Sequence, residues 1–126
     1  MTTSFSVAAG FAGVVRLLNG MPEKILLGLS TFPDTETAGR ISNQLVAEKF
    51  AACANVLPGV ESIYRWKGKL ETANETLVFF KVSENRQRAF QEKLRSLHPY
   101  EVPEIIFVPV ARGLPDYLRW VAGSCR

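Results

Sequence analysis

Histidine occurs once in this chain, as His98, and cysteine twice, as Cys53 and Cys125. A single histidine makes a weak all-protein transition-metal centre. The two cysteines form no Cys-x-x-Cys pair and fit no zinc spacing. There is no Gly-x-Ser-x-Gly and no glycine loop of the phosphate-cradling kind, so the familiar signatures of hydrolases and nucleotide enzymes are missing. Charge of one sign is also scarce. The net charge is +3, and bases are interleaved with acids, as in Lys67, Lys69 and Glu71 or Arg86, Arg88 and Glu92. That pattern reads as a solvated surface, because a nucleic-acid footprint is a basic stripe.

What is present is a globular composition. With 126 residues, 47% hydrophobic and 21% charged, the chain has one domain's worth of core. Met1 to Gly20 stands apart. It is apolar and rich in small residues, with its one charge, Arg16, placed late. A secretory signal has its bases before the apolar run. Gly10 and Gly13 break the segment, and it is short for a membrane span. Residues 1–22 therefore read as a loose N-terminal extension, with Met21 as an alternative start, ahead of one domain over 23–126. Cys53, among Ala51, Ala52 and Ala54, reads as a small buried residue. Cys125, next to last, reads as frayed. Neither cysteine demands an oxidising compartment, so the expected location is cytoplasmic.

Ile25 to Thr31 is a continuous apolar run, as expected of a central strand. Asp34 or Thr35 is a natural N-cap for a helix reaching about Phe50, with Ala38, Ile41 and Leu45 on its inner face. Cys53 to Arg65 reads as a second strand, with a bulge or edge at Leu57-Pro58-Gly59. Lys67-Gly68 is a hairpin turn, after which Leu70 begins a return strand. Thr76 to Val82 reads as a third strand, and Ser83 as the cap of a helix from Glu84 to Leu97. Ile105 to Val110 reads as an edge strand, and Pro115 to Ala122 as a closing helix. Strand, helix, strand, strand, helix, strand is the order of a ferredoxin-like α+β sandwich, with both helices on one face of an antiparallel sheet. The strands carry apolar groups on both faces, so the bare face needs a cover. Cyclic homo-oligomerisation is the simplest one.

Between the second helix and the last strand lies His98-Pro99-Tyr100-Glu101-Val102-Pro103-Glu104. Each proline pushes the residue before it toward extended geometry, so a stiff, extended connector is expected. The bland reading has His98 ending the helix, its ring near the last carbonyls. The sharper one makes His98 a metal ligand, with Glu101 second and Glu104 nearby. Imidazole and carboxylate suit copper and related divalent ions, and a second subunit could complete the set. An RNA-stacking role for Tyr64, Trp66 and Lys81 is disfavoured by the diffuse charge and the lack of an RNP-type strand.

These motifs together resemble the CutA family, linked to divalent-cation tolerance. The resemblance rests on Ala51-Ala52-Cys53-Ala54-Asn55 with Pro58-Gly59, on Ser62 through Gly68, on His98 through Glu104, and on Tyr117 and Trp120. It implies a ferredoxin-like protomer in a homotrimer, binding or sensing metal ions such as copper; from the residues themselves, no catalysis and no nucleic-acid or membrane partner is expected. It also implies a likeness to the nitrogen-regulatory PII proteins, which would make the clefts between subunits a site for a small molecule or a partner protein. Some members are proposed to bind copper through a cysteine at the end of the first strand and two histidines before the proline. Here those positions are Ser30 and Leu97-His98, which leaves His98 as the one candidate ligand of that set.

Overall fold

The structure, a computed structural model, describes residues 23–126. The expectations for the N-terminal extension lie outside the described residues. The elements are β1 (Ile25–Phe32), α1 (Thr35–Ala47), β2 (Cys53–Trp66), β3 (Lys69–Ser83), a 3₁₀ turn over Glu84–Arg86, α2 (Gln87–Leu97), β4 (Ile106–Pro109) and α3 (Pro115–Ser124). The sheet order is β2-β3-β1-β4, with every neighbouring pair antiparallel. This is the ferredoxin-like sandwich expected from the order of elements, with an added C-terminal helix.

The local reasons are legible in the residues. The Asp34 carboxylate accepts from the Thr37 backbone N–H at 2.7 Å and caps α1. Ala38, Ile41 and Leu45 recur at helical spacing and are fully buried. They meet Val78, Phe80 and Val82 of β3 and Phe90 and Leu94 of α2 in the main core. Lys67 and Gly68 both take positive φ, 50° and 79°. Such a pair matches the twist of the strands it joins. Gly59 has φ 77° and lies where the β2–β3 register shifts between Leu57 and Val60. The expected bulge is present.

Several expectations need correction. α1 ends at Ala47 and not near Phe50, because Lys49 adopts φ 65°. The return strand and the third strand are one continuous β3 of 15 residues. β4 is the shorter Ile106–Pro109, although it does lie at an edge. Ser83 does not cap the second helix with its side chain. Its hydroxyl instead donates to the Cys125 carbonyl at 3.3 Å. Cys125 is not frayed. It is 1% exposed and packs with Ile25, Ala52, Val121 and Ala122. Cys53 is only half-buried, with Sγ 3.6 Å from the Tyr117 hydroxyl.

Strand alternation sorts the two faces of the sheet. Val78, Phe80 and Val82 turn toward α1 and α2. Their neighbours turn to the opposite face, which α3 covers at one end through the smaller cluster at Ile25 and Val121. The rest of that face is apolar and open. Leu57, Ile106 and Val108 are exposed there, and Leu27, Leu29 and Phe79 are half-buried.

Candidate functional site

The connector after α2 is bent through Pro99–Val102, and so is not the straight extended segment its prolines suggest. His98 itself is extended, with φ −73° and ψ 135°, and ends α2. Its ring does not reach back to the helix carbonyls. It stacks on Phe32, with ring centroids 4.6 Å apart and 17° between planes. Nε2 lies 2.9 Å from the Thr31 carbonyl oxygen. Nδ1 lies 3.2 Å from the Tyr100 backbone nitrogen. A carbonyl can only accept and an amide N–H can only donate. Nε2 therefore carries the proton, and the Nδ1 lone pair is in use. Burial lowers the His98 pKa, against opposing effects from the Thr31 bond and the Glu75 charge.

This geometry bears directly on metal binding. A neutral imidazole ligates through a lone pair, and both ring nitrogens of His98 are committed. Ser30 is fully buried on the helix side of β1, its hydroxyl without a partner among the described residues. Leu97 brings no donor. No group of three or more His, Cys, Asp or Glu among the described residues stands close enough to hold a metal. The residues present do not fit a copper centre built on His98.

The other candidates meet elsewhere. Glu101 and Glu104 line a cleft of about 530 Å³ on the open face of the sheet, between the β2–β3 hairpin and the connector. Glu75, Tyr64, Trp66 and Tyr100 line it too, and His98 does not. Glu75 is half-buried on β3. The Tyr100 hydroxyl donates to its Oε2 at 2.5 Å. Burial, followed by this bond and the Glu75 charge, raises the Tyr100 pKa, so the phenol stays protonated as donor. Tyr64 and Trp66 leave 42% and 41% of their surface exposed, enough to offer ring faces to a ligand.

Sequence reasoning missed Glu75. No motif surrounds it, and only the register of β3 carries it to the cleft. It did single out Tyr64 and Trp66, as candidates for stacking on RNA. Lys81, grouped with them as a stacking cation, instead donates to the Asn55 side chain across the β2–β3 pair.

Fold and cleft together define the class: a ferredoxin-like sandwich with an aromatic, carboxylate-lined cleft on its uncovered face. Residues 26–124 match the family described as CutA1 divalent ion tolerance protein, and the chain belongs to that family. It is 43% identical over 106 residues to the divalent-cation tolerance protein CutA of Citrobacter koseri, covering 84% of this chain and 91% of that one. Among solved structures it is similar to the divalent cation tolerance protein of Thermus thermophilus. That match has a TM-score of 0.79 and 38% identity, over 81% of this chain and 99% of that one. It is also similar to the periplasmic divalent cation tolerance protein CutA from Archaeoglobus fulgidus. Here the TM-score is 0.76 and the identity 31%, over 79% of this chain and 97% of that one. Among the described residues, no helix is long and apolar enough to cross a membrane.

Proposed function

We propose that this chain acts in divalent-cation tolerance as a homotrimer that binds its ligand without chemical turnover, at the carboxylate-lined cleft. The observation that carries the reading is that Glu75, Glu101 and Glu104 all line one cleft, in a chain of this family. Three carboxylates raise the local concentration of cations. A cation would be held there through its water shell, or with carboxylates from a second subunit, because one chain assembles no direct ligand set among the described residues.

The trimer is supported by the open apolar face. Leu57, Ile106 and Val108 are 37%, 49% and 48% exposed on it. β2 and β4 are both edge strands, whose free backbone groups can pair with another copy. Covering this face with neighbours leaves the cleft at the boundary between subunits. Two thiols without a disulfide agree with a cytoplasmic location.

A second reading is a PII-like module taking a small molecule or a partner protein at the same boundary. The engaged ring of His98 favours it, since it withdraws the one histidine from metal binding. Native mass spectrometry with a copper(II) titration tests both readings. We expect a mass of three chains, and saturable ion uptake that survives His98→Asn and is lost in the Glu75→Gln, Glu101→Gln pair. A trimer that stays bare supports the PII-like reading. Uptake abolished by His98→Asn in an intact trimer returns the metal to the histidine. A monomer overturns the assembly.

A further inference from the structure

We propose that the cleft recognises a primary alkylammonium ion: a protonated amine on a short aliphatic stem. This rests on the cleft being the binding site and names the chemistry of what enters it. The cleft's volume of about 530 Å³ is that of a small-molecule site. Its lining includes three carboxylates and no lysine or arginine, in a chain whose net charge is +3. Acidic side chains are therefore gathered at the cleft in a chain that is basic overall.

The carboxylates differ in a useful way. Glu75 is half-buried, and Tyr100 fixes its Oε2, while Oε1 takes no hydrogen bond from the described residues. An ammonium head would find there an oriented, partly desolvated acceptor that needs little rearrangement. Glu101 and Glu104 are exposed at the rim and would supply attraction at longer range.

The walls decide between kinds of cation. Tyr64 and Trp66 present ring faces, and Ile63 and Val102 present aliphatic surface, to the same cleft. A divalent ion keeps its water shell and gains little from such walls, and direct coordination needs converging ligands that the described residues of one chain lack. An alkylammonium uses every part of the site. Its head pairs with carboxylate and ring face, and its stem lies on the apolar wall. The Lys67 ammonium stands 5.8 Å from the centre of the Trp66 ring, so an incoming ammonium would compete with it for that ring.

The test uses the assembled full-length protein carrying Trp120→Phe, so that Trp66 is the single tryptophan. Its fluorescence is followed during titration with n-butylammonium chloride, against sodium chloride at equal ionic strength. The expected result is a saturable change with butylammonium alone. Glu75→Gln should weaken it at least tenfold and Glu101→Gln severalfold. Glu92→Gln, on the exposed side of α2, should leave it unchanged. No saturable change, an equal response to sodium, or equal affinity in Glu75→Gln would each overturn the assignment. Divalent-cation uptake without butylammonium binding would overturn this inference and leave the proposed function standing. Butylammonium binding without divalent uptake would do the reverse.

Discussion

The imidazole of His98 donates from Nε2 to the carbonyl oxygen of Thr31, 67 residues earlier in the chain, at 2.9 Å. That bond ties the end of α2 to the end of β1. With the Tyr100 N–H on Nδ1, it admits only the neutral ring.

A pH dependence follows. Burial lowers the His98 pKa in the fold below its ordinary 6.5. The unfolded chain then binds more protons in the window beneath 6.5, so stability rises with pH there. The contribution is fully present above about pH 6.5 and is lost as pH falls through the folded value. Urea unfolding between pH 7 and 5 should show a falling midpoint for the wild type. The slope should be flatter in His98→Asn, which starts from a lower midpoint. An unchanged slope would assign the dependence to another group.

Ser30 supplies a second prediction. Its hydroxyl is fully buried and unpartnered among the described residues. A buried polar group without a partner costs about 1–3 kcal/mol. Ser30→Ala removes the hydroxyl and leaves a cavity smaller than a methyl group. We expect stability to rise by about 1 kcal/mol, read as a higher denaturant midpoint with the slope unchanged. A loss of stability would mean that the hydroxyl has a bound water.

The chain's end is a third. The Ser83 N–H donates to the Cys125 thiol at 3.2 Å. That thiol donates onward to the Val121 carbonyl at 3.2 Å. Cys125→Ala strands a buried N–H and should cost about 1–3 kcal/mol. Cys125→Ser keeps an acceptor and should cost less. Burial also pushes the Cys125 thiol pKa up. A thiol reagent under native conditions should therefore modify half-buried Cys53 first, and Cys125 only on the timescale of unfolding. Equal rates would show that the terminus opens readily.

The fold was legible because its signals are local. Ala38, Ile41 and Leu45 announce α1 by spacing, and Lys67-Gly68 announces the hairpin by conformational preference. The cleft was legible in part. Tyr64 and Trp66 stood out as candidate stacking aromatics, and Glu101 and Glu104 through their place beside the prolines. Glu75 could not be found that way, since its role comes from pairing across the sheet with β2 and from Tyr100, 25 residues away. The engagement of His98 was hidden for the same reason. Thr31 and Phe32 meet it only once β1 and α2 are packed. Cys125 looked frayed because proximity to a terminus is a statistical cue, whereas a partner such as Ser83 is a tertiary fact.

The irregularity at Pro58-Gly59 acts on β2 as a half-period phase change. Before it, pairing runs Cys53 with Lys81 and Leu57 with Leu77; after it, Val60 with Glu75 and Trp66 with Lys69. One strand has advanced three residues while the other advanced two. Odd-numbered residues of β2 face away from the helices before that point, and even-numbered ones after it. A β2 of the same length that paired without this irregularity would turn Tyr64 and Trp66 toward the helix side. Two residues outside the cleft lining thus decide whether Tyr64 and Trp66 share a face of the sheet with Glu75.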